Sequence, residues 1–140
     1  MTEIVVKTEI TEADERAVRE PLRAHNRMKT GFKGPNGELA LLIHDDSGNV
    51  TGGLTARYGY QWMGIELLFV PDAERGKRLG TRLMQQAESI ARDNGLTGIW
   101  LDTFAFQARG FYEKLGFSVF GEITDYPVTH SRYFMQKRLS

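Results

Sequence analysis

A chain of 140 residues that is 41% hydrophobic and 26% charged can build one core and is too apolar for a disordered segment. Its 18 basic and 18 acidic side chains cancel, which argues against a bulk nucleic-acid or membrane binder, so any anion site must be local. With no cysteine there is no disulfide, thiol nucleophile or thiolate metal site, and the histidines at 25, 44 and 130 are too scattered for zinc, so no metal is expected.

The first residues show no apolar signal region, and no stretch approaches ~20 apolar residues, so the expectation is a cytosolic protein. Ile4 to Ile10 alternates loosely and is expected to be a first strand. Thr11 follows as an N-cap, with Asp14 three residues on. The polar helix behind it meets Pro21, which reads as the start of a second short helix rather than a mid-helix residue. Residues 21–37 then loosen into a Gly/Pro-containing segment, either a recognition loop or a plain connector. Glu38 to Asp45 and Val50 to Tyr58 flank a short turn and form an antiparallel hairpin. A second turn near Gly59 leads into Gln61 to Val70, completing a three-stranded meander.

Glu66 to Ala91 is the informative stretch. Glu66 to Val70 is an apolar run of strand length, closed by Pro71, which cannot donate to a ladder. From Arg75 the period becomes helical: Leu79, Leu83, Ala87, Ile90 and Ala91 share one face, and Gly95 is the stop. Arg75, Lys77, Arg78 and Arg82 crowd the start of that helix, where the macrodipole disfavours cations and the first N–H groups lack partners. Gly76 and Gly80 let the backbone come close, so the junction suits an anion, with a pyrophosphate as natural guest. The alternative is a solvated basic helix start that happens to hold two glycines.

Thr97 to Phe104 is the next strand and, following strand and helix, should lie parallel to the strand ending at Val70. A short helix from Gln107 to Leu115, stopped by Gly116, puts Ala108, Phe111, Tyr112 and Leu115 on one face. By pattern alone this is a core helix carrying a tyrosine. Phe117 to Thr124 and Arg132 to Leu139 make a final antiparallel pair.

After a strand, the run Arg75-Gly76-Lys77-Arg78-Leu79-Gly80 resembles motif A of the GNAT superfamily of acetyl-CoA-dependent N-acetyltransferases, whose pattern is Q/R-x-x-G-x-G/A. Arg75 and Gly80 fill its first and last positions, while Arg78 stands where the middle glycine is expected. Phe111 to Phe117 (FYEKLGF) resembles the end of the family's motif B. The element order is also similar, so the resemblance covers residues 38–139 well and the N-terminal third by order alone. It implies one α/β (α+β) domain over residues 1–140, with a mostly antiparallel sheet, a central parallel strand pair that splays open, and flanking helices.

The resemblance further implies acetyl-CoA as co-substrate, held by Leu68, Phe69, Val70, Arg75, Gly76, Lys77, Arg78, Leu79, Gly80, Thr81 and Gln107. Gln107 stands where many members carry an asparagine on the pantetheine arm. The reaction would be direct attack of a primary amine on the thioester, with Tyr112 as general acid and the Val70 amide polarising the carbonyl. Glu66 and Asp102 are the candidate bases. Glu66 is favoured because its strand runs into the coenzyme loop, with Ile65 and Leu67 packing on the opposite face. Asp125, His130, Tyr58, Tyr60 and Trp62 are readable either as acceptor-pocket residues or as ordinary surface. The acceptor could be a polyamine, antibiotic, amino acid or protein N-terminus, with no nucleic acid or membrane partner and a homodimer left open. Two rivals stand beside this reading: a non-catalytic acyl-CoA sensor on the same fold, and a nucleotide-phosphate binder. The second is weakened because Arg75 to Gly80 lacks the K-[ST] ending of a P-loop.

Overall fold

The computed structural model describes residues 2–74, 76–104 and 106–139, with backbone alone for 106 and 107. The chain divides into two compact units, Met1–Lys33 and Gly34–Ser140.

The first unit is one helix with a leading segment. Helix α1 (Glu12–Thr30) begins at a capping box: Thr11 Oγ1 accepts from the Asp14 N–H at 3.1 Å, and Asp14 Oδ2 accepts from the Thr11 N–H at 3.0 Å. It ends at Gly31, whose φ of 65° is left-handed and whose N–H donates to the Arg27 carbonyl. Pro21 lies inside this continuous helix, contrary to the expected restart. The residue before it, Glu20, is a poor N-cap, so nothing there begins a new helix, and α1 absorbs one missing backbone bond. Residues 21–30 are therefore helical, and the connector is limited to 31–36. Ile4 to Ile10 forms no strand. A strand needs a neighbour for its N–H and C=O groups, and this unit offers only a helix.

In the second unit six strands form one sheet in the order β1-β2-β3-β4-β6-β5. They are β1 (Gly37–His44), β2 (Val50–Gly59), β3 (Trp62–Phe69), β4 (Gly98–Thr103), β5 (Ser118–Ile123) and β6 (Arg132–Arg138). Every neighbouring pair is antiparallel except β3 and β4, which run parallel. This is the mixed sheet that the sequence leads one to expect. The turn between β1 and β2 is closed by Asp45 Oδ1, which accepts from the Ser47 and Asn49 N–H groups at 2.9 Å. Between β2 and β3, Tyr60 and Gln61 both have positive φ, as a two-residue hairpin turn requires.

Helix α2 (Leu79–Asp93) packs on β2, β3 and β4 through Leu83, Met84, Ala87 and Ala91. Alternation along the strands turns Leu54, Met63, Ile99, Leu101 and Met135 into the core, where each is fully buried. Burying side chains of this size is worth about 1.5–3 kcal/mol apiece, which is what holds the helix layer to the sheet. Helix α3 (Phe106–Lys114) contacts β4 beside it.

A polar tie joins α2, the end of α3 and β6. Lys137 Nζ meets Glu88 Oε1 at 2.6 Å and the Leu115 carbonyl at 2.8 Å, while Arg92 pairs with Glu88 Oε2 and donates to the Leu139 carbonyl. Burial acts to raise the Glu88 carboxyl, but hydrogen bonds from Lys137 and Arg92 outweigh it and hold it below the ordinary value. A lowered carboxyl stabilises the fold above its unfolded pKa, about 4.3, and that stability is lost as pH falls through the folded value. Glu88→Gln is therefore expected to lose about 1–2 kcal/mol at pH 7. Urea titrations at pH 3, 5 and 7 should show a shallower acid decline in the variant than in the native protein.

Candidate active site

The site is prepared by a break in the sheet. β3 and β4 pair only at Trp62 with Gly98, Met63 with Ile99 and Gly64 with Trp100. Beyond Gly64, β3 stays with β2 as far as Phe69, and β4 stays with β6 as far as Thr103. The parallel pair therefore parts, leaving Ile65 to Phe69 and Leu101 to Thr103 on facing edges. A β-bulge marks the parting: Thr55 faces Leu67 while the adjacent Ala56 faces Ile65, so Glu66 is the extra residue. Bulges bend a strand and re-aim its side chains. One consequence corrects the expectation for Leu67, which does not pack opposite Glu66 but is 68% exposed.

The strand leads through a 3₁₀ turn (Asp72–Glu74) into α2, which starts at Leu79 rather than at Arg75. The first intrahelical bond runs from the Arg82 N–H to the Arg78 carbonyl at 3.0 Å. The N–H groups of Leu79, Gly80 and Thr81 precede it, and Arg78 supplies no side-chain cap. Arg78 itself has φ 58° and ψ 29°. That is the left-handed region glycine enters freely, which explains why a glycine is the residue expected there. Gly80 has another reason to be small. A Cβ at Gly80 would come within 3.3 Å of the Phe111 ring, so a side chain would press α2 away from α3.

These parts enclose a cleft of about 450 Å³, lined by Leu68, Phe69, Val70, Glu74, Gly76, Arg78, Leu79, Gly80, Thr81, Ala108, Phe111 and Tyr112. The ring of Tyr112 is buried, edge-on to Phe111 and Phe117 at 5.1 and 6.0 Å. Its hydroxyl makes no hydrogen bond among the described residues. Burial, aided by the charge of Asp102, pushes the phenol up to about 12. The raised pKa keeps the Tyr112 phenol protonated at neutral pH, and among the described residues it has no hydrogen-bond partner.

Most of the residues expected to hold a coenzyme meet in this cleft. Lys77 is nearby but engaged, its Nζ on Glu74 Oε2 at 2.7 Å, and that contact raises its pKa. Arg75 and the side chain of Gln107 lie outside the described residues. Glu74, Ala108 and Phe111 join the lining without having been singled out for it; Phe111 was legible as a core residue, and Glu74 carried no signal of its own.

The two carboxylates are placed differently. Ile65 and Leu101 are buried on the helix side, so Glu66 and Asp102 project from the other face of the sheet, on either side of the parting. Each is drawn toward its outer neighbour by an arginine. Arg57 Nε holds Glu66 Oε1 at 2.8 Å, and Arg132 holds Asp102 Oδ1 at 2.6 Å. Glu66 is half exposed and lines a separate cleft with Glu38, Thr55 and Arg57. Tyr58, Tyr60 and Trp62 sit at the opposite end of β3, roughly 20 Å along the strand from Phe69, so they cannot line the same cleft. Asp125 and His130 lie on the exposed loop before β6. Among the described residues no group of three or more acidic or histidine side chains could hold a metal ion, and no helix is long and apolar enough to cross a membrane.

A sheet opened at its parallel pair, feeding an uncapped helix start beside the buried Tyr112, is the arrangement that the resemblance to acyltransferases leads one to expect. Residues 6–117 match the model of the Acetyltransferase (GNAT) family. The chain is 34% identical over 134 residues to an acetyltransferase of Agrobacterium fabrum, covering 95% of this chain and 97% of that one. It is 35% identical over 119 residues to the blasticidin-S acetyltransferase of Streptomyces morookaense, covering 84% and 88%. A crystal structure of a protein from Agrobacterium tumefaciens superposes with a TM-score of 0.91 at 32% identity, over 99% of this chain and 100% of that one. The chain belongs to the GNAT family and is an acyltransferase.

Proposed function

We propose that this protein transfers the acetyl group of acetyl-CoA to a primary amine by direct attack within a ternary complex. The observation that carries the reading is the Tyr112 hydroxyl, unpartnered among the described residues, in one cleft with the first amides of α2, which precede its first intrahelical bond. Those amides and Arg78 take the coenzyme's pyrophosphate, with Arg75 and Lys77 adding charge and Gln107 meeting the pantetheine. The arm then runs along Leu68 to Val70 into the parting of β3 and β4. Val70, one residue past the last β2 rung, offers its N–H to the acetyl oxygen.

The amine nitrogen attacks the carbonyl carbon and the C–S bond breaks. A neutral amine nitrogen loses one proton on acylation and the sulfur gains one; an ammonium must first give a further proton to solvent. An amine of pKa near ~10 is mostly protonated at neutrality, and a thiol of about 8.5 leaves more easily when a proton is supplied. Tyr112 gives that proton to sulfur and recovers one from solvent. On the other side Asp102 is the carboxylate that meets the amine and takes its proton, since each carboxylate is held by an arginine but Glu66 opens into the separate cleft beside Glu38 and Arg57. Asp102→Asn is accordingly expected to lower kcat/KM more than Glu66→Gln, the reverse of the order that strand position alone suggests. Steady-state kinetics of the two variants check it, and the opposite order would return the role to Glu66.

A relative named for blasticidin-S supports a small-molecule acceptor. The family match crosses the boundary between the two units, which supports reading residues 1–140 as one domain in sequence. The test is thiol release from acetyl-CoA with a panel of polyamines, amino acids, amine-bearing antibiotics and peptides, with product masses read alongside. Amine-dependent release with a mass gain of one acetyl group is expected. A coenzyme-induced rise in melting temperature with no release for any amine would make this a sensor instead.

A further inference from the structure

One arginine ties together three segments at the rim of the parted sheet. Arg132, at the start of β6, places Nε and Nη2 on Asp102 Oδ1 at 2.9 and 2.6 Å, and its Nη1 donates to the Tyr126 hydroxyl at 2.9 Å. Its guanidinium lies 4.8 Å over the Phe104 ring and 5.1 Å over the Tyr126 ring, with the two rings themselves 5.2 Å apart. Phe104 closes the end of β4, and Tyr126 belongs to the loop between β5 and β6, so a planar cation serves as the pin between them. A lysine could not do this, because it has neither the fork nor the flat face. Both guanidinium contacts fall on Oδ1, which leaves Asp102 Oδ2 without a partner among the described residues. Asp102 also lies beyond the last rung with β3, on the face opposite the helices. Phe104 and Tyr126 keep 46% and 41% of their surface exposed beside it.

We propose that Arg132 is a positioning residue of the acceptor side: it fixes Asp102 so that Oδ2 receives the acceptor's amine, and pins the Tyr126 loop as an aromatic wall beside it. The acceptor this fits is a cationic amine whose adjoining part is apolar or planar. The inference rests on the amine-transfer reading above. The electrostatic coupling between Asp102 and Tyr112 agrees with an amine held near the leaving group.

The experiment uses an amine that the wild-type protein acetylates. Arg132→Gln is expected to raise the acceptor KM about tenfold or more, the scale of a lost hydrogen bond to a charged group. The KM for acetyl-CoA and the melting shift given by coenzyme A should stay within about twofold of wild type. Arg132→Lys should recover only part of the loss. Because Arg132→Gln also strips Asp102 of its partner, Tyr126→Phe provides a milder probe: it removes one hydroxyl and keeps the ring, and should raise the acceptor KM about threefold. An unchanged acceptor KM in both variants overturns the proposal, as does a parallel loss of acceptor and coenzyme parameters, which a merely structural arginine would give. A wild-type protein that acetylates no amine sinks the transfer reading and this inference with it; an active wild type with indifferent variants sinks this inference alone.

Discussion

Tyr112→Phe is expected to lower turnover about 100-fold while leaving coenzyme affinity nearly unchanged. The substitution keeps the ring and its edge-on packing against Phe111 and Phe117, so only the hydroxyl is removed. An interaction made with the leaving thiolate exists in the transition state alone, which is why kcat falls and binding does not. The pH behaviour adds a second signature. Burial first, then the charge of Asp102, pushes the Tyr112 phenol up to about 12. The donor therefore stays protonated through the neutral and mildly alkaline range, and the rate should climb with pH as free amine accumulates, without a falling limb from Tyr112 below about pH 10. For stability the sign is the same: a phenol raised in the folded state favours folding below its unfolded value, near ~10, and loses that advantage as pH rises toward 12. Chemical denaturation from pH 9 to 12 should show the native protein declining more steeply than Tyr112→Phe. Turnover of the variant within a factor of a few would leave the hydroxyl a structural role only.

The second large effect belongs to Arg78, where charge and backbone pull in opposite directions. Arg78→Glu reverses a charge beside the first three amides of α2, which lack partners among the described residues, and is expected to weaken coenzyme binding by tenfold or more. Arg78→Gly separates the two contributions. Relief of a left-handed non-glycine residue is worth roughly 1–2 kcal/mol, less roughly 0.5–1 for the added freedom of the unfolded chain, so a net gain of about 0.5–1 kcal/mol is expected. The glycine variant should melt a few degrees higher yet bind coenzyme more weakly than the native protein. Calorimetric titration and thermal melts on the same samples check both. If Arg78→Gly binds as well as the native protein and Arg78→Glu does too, the phosphates do not lie at this helix start.

What the sequence made legible follows from how local each cue was. The α2 face, the β1–β2 hairpin and the Thr11 cap depend on neighbours within a few residues, and the structure has them where the periodicity and capping residues put them. The parallel pairing of β3 with β4 follows from the handedness of a strand–helix–strand crossover, again a local rule. The failures are non-local. No pattern within residues 4–10 says whether a neighbouring strand exists, and no pattern near Pro21 weighs one lost bond against the rest of a long helix. The bulge at Glu66 is set by the register of β2 against β3, so alternation read along β3 alone misplaced Leu67. Likewise Asp102 and Arg132 stand 30 residues apart, and only the return of β6 beside β4 brings them together. Tyr112 lay between these cases: its helical face was legible, whereas the lack of a partner for its hydroxyl among the described residues, and its place in a different cleft from Glu66, were not.

The most direct test of the central claim is a crystal structure of the protein with coenzyme A bound. The account predicts the pyrophosphate against the N–H groups of Leu79, Gly80 and Thr81, the pantetheine along Leu68 to Val70 in the parting of β3 and β4, and the sulfur within hydrogen-bond reach of the Tyr112 hydroxyl. A coenzyme bound with its phosphates away from the start of α2, or with its sulfur on the far side of the sheet from Tyr112, would contradict it.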